Sequence, residues 1–358
     1  MQIAYDISMK NNKTIILTGG GTAGHVMPNI ALLPELKKHF SRICYIGTNG
    51  IEKEIAQKNN IEFFEIEAVK LVRKLTPKNL LIPFKLLKSI KTCKKLIKQI
   101  NPDVIFSKGG YVSIPVAIAG KKCGINVISH ESDLSIGLAN KIISKYCAVV
   151  CTSFFETAKN NKKFIYTGSP IRTQIFNGNK SKIFEKYNFD KNKPTVLFLG
   201  GSLGSKAINS CVEKCQAQLC EKYNIIHICG KNMNETTQQN YLRIKFANNI
   251  EDFFSASDIV VCRSGANTLF ELLSINKPML LIPLPKTQSR GDQIENAENF
   301  YKNNYAEIIY QENLTLQTLL EKIEKILKNK QFYIKNQQKA NIKNANKNIV
   351  DIILKHTK

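Results

Sequence analysis

Thr195-Val-Leu-Phe-Leu-Gly-Gly-Ser-Leu-Gly-Ser205 is an apolar run broken by a glycine turn, and Lys13-Thr-Ile-Ile-Leu-Thr-Gly-Gly-Gly-Thr-Ala-Gly-His25 follows the same plan near the other end of the chain. A short continuous apolar run closed by turn residues marks a strand buried on both faces. Glycine behind it permits positive φ and close approach of backbone to a ligand, and the helix that follows presents N–H groups. The recurrence predicts an α/β protein of two Rossmann-like, doubly wound domains that face one another across a cleft, each with a glycine corner. A third strand, turn and helix start occupies Asp258–Glu271. Its turn at Arg263-Ser-Gly-Ala266 and its helix from Asn267 favour a phosphate, and Glu271 suits two ribose hydroxyls. An ordinary βα turn with an exposed glutamate is the competing reading of that stretch.

The length of 358 residues exceeds what one core usually fills, so two domains are expected on size alone. Strands at 42–47, 61–66, 103–106, 125–129 and 146–151, then at 225–229, 259–262, 279–282 and 306–309, alternate with helices. That rhythm implies parallel sheets with ligands at their carboxyl ends. The expected boundaries are a first domain at 13–166, a linker at 167–193 and a second domain at 194–335. A terminal helix at 336–358 is expected to cross back to the first domain. The polar residues before Lys13 leave either Met1 or Met9 as the start.

The formal net charge of +24 calls for an anionic partner: nucleic acid, an acidic membrane surface or a phosphate-bearing substrate. Because the basic residues are dispersed and no nucleic-acid module is visible, nucleic acid is not expected, although a non-enzymatic anion-binding protein stays a rival class. Lysine and leucine concentrate between Val69 and Ile100. There Leu80-Leu-Ile-Pro-Phe84, whose proline prevents a regular helix interior, reads either as a patch dipping into an anionic bilayer or as a buried loop. No signal peptide and no run of roughly 20 apolar residues is present, so a soluble or peripheral protein is expected. The ten cysteines form no Cys-x-x-Cys pair, which points to reduced thiols in a reducing cytosol rather than to zinc or disulfides.

Polar groups fall on the expected ligand rim. His25 stands at the mouth of the first helix and reads either as a structural histidine or as one whose ring could reach a bound hydroxyl. His130-Glu-Ser-Asp133 ends a strand and either binds sugar hydroxyls or caps the next helix. The segment from Gln288 to Ala297 leads into a helix, with Gln293 in it; its amides and carboxylates either read a ligand or cap.

Seven ordered segments carry a resemblance: GGGTAGHVMP at 19–28, SKGGYVSIPVAIA at 107–119, HESDLSIGLANK at 130–141, TGSPIR at 167–172, GGSLGSKAIN at 200–209, CRSGANTLFELL at 262–273 and DQIENA at 292–297. Together they resemble the MurG family of GT-B glycosyltransferases, family 28, over nearly the whole chain from Lys13. The resemblance implies an inverting transferase that moves N-acetylglucosamine from UDP-N-acetylglucosamine to the 4-hydroxyl of the muramyl sugar of lipid I, the undecaprenyl-diphosphate-linked MurNAc-pentapeptide. The product would be lipid II of peptidoglycan synthesis, made without a cofactor or a metal. It also implies a peripheral protein on the cytoplasmic face of the bacterial inner membrane, bound to its anionic surface and working among wall-synthesis proteins. A related GT-B synthase acting on diacylglycerol is the alternative.

By position, the resemblance implies His25 as general base, with Glu131 the second catalytic candidate and Asp133 next in line. Thr22, Ala23 and Gly24 would lie near the sugar and diphosphate, Arg172 and Ser202 would bind donor, and Ile250 would contact uracil. Ala266, Asn267, Thr268, Leu269, Phe270 and Glu271 would hold the diphosphate and ribose, and Gln293 the donor sugar. Two departures stand out. The family pattern His-Glu-Gln-Asn is here His130-Glu131-Ser132-Asp133, so a carboxylate replaces an amide at 133; and Ala23 replaces a glycine.

Overall fold

The computed structural model describes residues 12–68, 82–159, 161–201, 204–340, 342 and 345–358. It divides the chain into two units, Met1–Arg172 with Asn344–Lys358, and Thr173–Lys343. Among the described residues no helix is long and apolar enough to cross a membrane.

Unit 1 is built on β1 (Thr14–Thr18), β2 (Arg42–Gly47), β3 (Glu62–Glu65), β4 (Val104–Ser107), β5 (Val127–Glu131), β6 (Val149–Thr152) and β7 (Phe164–Tyr166). These form one parallel sheet in the order β3-β2-β1-β4-β5-β6-β7. Every residue of β1 is buried because helices cover both faces. Strand alternation sorts the core: Ile16, Cys44 and Ile105 face one layer of buried residues, and Ile15, Leu17, Tyr45 and Phe106 the other. The second layer is completed by Ile349, Val350 and Ile353 of the terminal helix Ala345–Lys355. Its Asn346 fastens the end of the unit, accepting from Ile171 N–H at 2.8 Å and donating to Ile171 O at 2.7 Å and Ala31 O at 3.1 Å.

Unit 2 contains β8 (Thr195–Leu199), β9 (Asn224–Ile228), β10 (Thr236–Gln238), β11 (Tyr241–Ile244), β12 (Ile259–Cys262), β13 (Met279–Leu281) and β14 (Ala306–Ile308). Their order is β10-β11-β9-β8-β12-β13-β14, parallel throughout except for β10 against β11. From β11 to β14 this repeats the order of the first six strands of unit 1, so the recurrence in sequence is a recurrence of fold. In each sheet the strand order reverses beside the glycine-cornered strand, between β1 and β4 and between β8 and β12. That reversal opens a crevice at the carboxyl ends of the strands.

Four local expectations are revised. The first helix spans Ala23–Leu36 and does not wait for Pro28, which puts His25 in its first turn. Pro83 lies in the first turn of helix Ile82–Ile100, where a missing N–H breaks no helical bond, so the sequence from Ile82 is helical; Leu80 and Leu81 lie outside the described residues. The hairpin of β10 and β11, turning at Asn240 with φ 58, was not predicted, since Thr-Thr-Gln carries no apolar signal. Within the stretch expected as a linker, helix Ser181–Lys186 belongs to unit 2, where Asn179 N donates to Asp252 Oδ1 at 2.8 Å.

Candidate functional site

At the crevice of unit 2 lies a cavity of about 340 Å³, lined by both glycine corners. Gly200, Gly201 and Gly204 follow β8, and Arg263 and Gly265 follow β12. A side chain at Gly204 would fail twice: φ is 80, and its Cβ would stand 2.2 Å from Cys229 O. Ser205 caps helix Lys206–Lys222, accepting from Ile208 N–H at 3.4 Å. By contrast, helix Ala266–Ser274 has no side-chain cap at Gly265, and its first turn opens on the cavity. First-turn N–H groups have no acceptor inside their own helix, so this corner suits an anion.

The walls of the cavity are fixed by hydrogen bonds. Arg263 donates to Ile282 O at 3.0 Å, Pro283 O at 3.2 Å and Gln311 Oε1 at 2.5 Å, and burial draws its guanidinium below the usual arginine range. It therefore shapes the loop after β13. Gln293 accepts from Leu284 N–H at 3.1 Å, and Ser264 donates to Gln293 O at 2.7 Å.

Unit 1 places its own corners together. Gly110, with φ 79, packs so closely on the first turn that a Cβ there would lie 2.5 Å from Gly20 O and 3.4 Å from His25 Nδ1. His25 Nδ1 is 3.0 Å from Thr22 Oγ1. Thr22 precedes the helix without capping its backbone, so its hydroxyl serves the imidazole. When Nδ1–H donates to Thr22, Nε2 keeps the lone pair that a base requires.

Glu131 and His130 are buried. Glu131 accepts from Asp133 N–H and Gly137 N–H, each at 3.0 Å, and from Asn140 Nδ2 at 2.9 Å. These bonds give it a positioning task, shaping the 131–137 loop. His130 Nε2–H donates to Gly168 O at 2.9 Å, while Nδ1 accepts from Lys108 Nζ. Burial and the Lys108 charge hold His130 well below its ordinary range, so it stays neutral.

The site residues expected from sequence thus divide between the units. Thr22, Ala23, Gly24, His25, Glu131, Asp133 and Arg172 belong to unit 1; Ile250, Ala266 to Glu271 and Gln293 belong to unit 2. Of the second set, Thr268 and Gln293 line the cavity. Leu269 and Phe270 are buried, Phe270 edge-on to Phe300 at 5.6 Å, so their side chains pack in the core. Ile250 begins helix Ile250–Ala256 and does not line this cavity, and Ser202 lies outside the described residues. Lys108 and Arg263 were not singled out from sequence, although each directly follows a strand end, where the crevice rule points. Among the described residues no cluster of His, Cys, Asp and Glu is arranged to hold a metal ion.

Two Rossmann-like units, each with glycine corners at the switch point of its sheet, define a protein of the GT-B fold class. The glycosyltransferase family 28 N-terminal domain matches residues 15–152 and the family 28 C-terminal domain residues 195–353. Named UDP-N-acetylglucosamine--N-acetylmuramyl-(pentapeptide) pyrophosphoryl-undecaprenol N-acetylglucosamine transferase, a protein of Clostridium botulinum strain Langeland is 47% identical over 353 residues, covering 97% of this chain and 100% of the relative. A protein of the same name from Clostridium tetani is 46% identical, covering 96% and 98%. The crystal structure of Acinetobacter baumannii MurG superposes with a TM-score of 0.72 at 26% identity, covering 96% of this chain and 99% of that one. A UDP-GlcNAc 2-epimerase from Neisseria meningitidis shares the fold alone, with a TM-score of 0.68 at 14% identity over 96% and 100%. The chain belongs to glycosyltransferase family 28.

Proposed function

We propose that this protein transfers N-acetylglucosamine from UDP-N-acetylglucosamine to the 4-hydroxyl of the muramyl sugar in polyprenyl-diphosphate-linked MurNAc-pentapeptide. The observation that carries the reading is the unit 2 cavity, where glycine corners and an uncapped helix start meet in a chain that matches such transferases along its length.

The chemistry follows from where charge grows. As the sugar leaves, negative charge develops on the β-phosphate, and the first-turn amides of helix Ala266–Ser274 stabilise it. Glu271 takes the ribose, and Gln293, its Oε1 already held by Leu284, takes the donor sugar. From unit 1, His25 Nε2 removes the acceptor's proton, a task worth about 10² to 10⁴ in rate. Attack on the face opposite the leaving group inverts the anomeric centre.

The acceptor's lipid brings the protein to a membrane. Phe84 is 71% exposed and Leu87 61% exposed on the lysine-rich helix Ile82–Ile100, a surface suited to an anionic leaflet. UDP release should appear when donor and the polyprenyl-linked acceptor are mixed with the protein. Release with diacylglycerol in place of that acceptor would instead favour the glycolipid synthase.

A further inference from the structure

Lys206 opens helix Lys206–Lys222 and lines the unit 2 cavity, directly after the glycine corner of β8. It lies in the segment GGSLGSKAIN at 200–209, of which only Ser202 was assigned a task from sequence. Two cations line the cavity, Lys206 and Arg263, and among the described residues no aspartate or glutamate does. An anion that enters therefore meets positive charge with no carboxylate beside it. The two cations are held differently. Arg263 spends its guanidinium on Ile282 O, Pro283 O and Gln311 Oε1. Lys206 is exposed, and among the described residues its ammonium is engaged by no hydrogen bond or ion pair.

Its place in the fold says what kind of anion it meets. β8 and β12 are neighbours, with Val196 to Leu199 in register with Ile259 to Cys262, so the corners at their carboxyl ends adjoin. The β12 corner leads into helix Ala266–Ser274, which starts without a side-chain cap. The β8 corner leads into a helix whose start is already closed by Ser205 Oγ on Ile208 N–H. On that wall the cap takes up a donor that a phosphate would otherwise claim, and the first helical side chain, Lys206, brings the positive charge. An ammonium is a point charge on a flexible stem, so it follows phosphate oxygens without imposing a fork geometry.

We propose that Lys206 is a diphosphate-binding residue: its ammonium closes on the phosphate oxygens of a nucleoside diphosphate from the β8 wall, while the amides of helix Ala266–Ser274 hold them from the β12 wall. The nucleoside does not depend on it. This rests on the reading of the unit 2 cavity as the donor site.

The experiment is equilibrium binding of UDP to the full chain at two salt concentrations, with uridine measured by displacement of labelled UDP, for the unmodified protein, Lys206→Met and Lys206→Arg. Lys206→Met should raise the Kd for UDP about tenfold or more, as loss of a hydrogen bond to a charged group does, and change that for uridine less than twofold. The salt dependence of UDP binding should flatten in the same variant. Lys206→Arg, which keeps the charge, should hold the UDP Kd within threefold of the unmodified value. Because the side chain is exposed, the melting temperature should not move in either variant. Unchanged UDP affinity in Lys206→Met, or an equal loss for UDP and uridine, overturns the assignment. An unmodified chain that binds UDP through Lys206 yet transfers no sugar overturns the transferase reading alone, and a chain that does not bind UDP overturns both.

Discussion

Thr22 Oγ1 and His25 Nδ1 stand 3.0 Å apart across the first turn of helix Ala23–Leu36, so the hydroxyl that would ordinarily cap the helix instead orients an imidazole. Removing the hydroxyl while keeping the shape leaves the ring free to turn and to change tautomer. Thr22→Val should lower kcat roughly tenfold, within the range of general-base effects, while Thr22→Ser keeps most of it. UDP affinity, which the proposed function assigns to the unit 2 cavity, should change little. Steady-state kinetics with parallel UDP titration checks both.

Gly110 admits no side chain, because its φ is 79 and a Cβ would lie 2.5 Å from Gly20 O. Gly110→Ala should destabilise the protein by about 2 kcal/mol or more, measured as a lower urea midpoint, with activity lost even where the fold survives.

Arg263 acts on the cavity through the loop it holds. Arg263→Met would leave the carbonyls of Ile282 and Pro283 without this donor and loosen the segment that carries Gln288 and Gln293. Donor KM should rise roughly tenfold, about 1.4 kcal/mol, with kcat at saturating donor less affected.

His227 is a buried imidazole between Tyr241 OH at 3.2 Å and Asn209 Oδ1 at 3.0 Å, and burial lowers its pKa from the ordinary 6.5 to about 4. Asn209 Nδ2 donates to Cys229 O at 2.8 Å, so Nε2–H donates to Asn209 and Nδ1 accepts from tyrosine. Since the folded pKa lies below the unfolded one, the unfolded chain binds more protons between these values. Stability from this group is therefore present above pH 6.5 and lost as pH falls toward 4, at most about 3 kcal/mol. Urea unfolding at neutral and mildly acidic pH should show a smaller acid loss in His227→Gln than in the unmodified protein.

The exposed Phe84 and Leu87 supply a membrane test. Replacing both with glutamate should reduce sedimentation with anionic vesicles while turnover of a water-soluble acceptor analogue persists; unchanged sedimentation would remove that surface from the account.

The fold was legible because Thr14–Thr18 and Thr195–Leu199 are apolar runs closed by glycine, and strands buried on both faces have no other way to be written. The β10–β11 hairpin was not, since its stability lies in pairing with β9 rather than in its own polar residues. Sequence order brought out Thr268 and Gln293, which line the unit 2 cavity, the first at a helix start and the second in the segment leading into a helix. It set Glu131 among the catalytic candidates and Leu269 and Phe270 among the donor contacts, where Glu131 accepts from three internal donors and the side chains of Leu269 and Phe270 are buried. Those outcomes depend on which side of a helix or strand meets the sheet. Lys108 was hidden for a similar reason: a lysine beside glycines reads as exposed until burial against His130 and Ser132 is seen.

Transfer of labelled sugar from UDP-N-acetylglucosamine to the polyprenyl-diphosphate-linked muramyl-pentapeptide, compared between the unmodified chain and His25→Ala, decides whether this protein is the transferase proposed and His25 its base. A lipid-linked disaccharide should form, at a rate that drops by a hundredfold or more in the variant while UDP binding is retained. A variant that forms the disaccharide at the unmodified rate, or an unmodified chain that forms none, would contradict that reading.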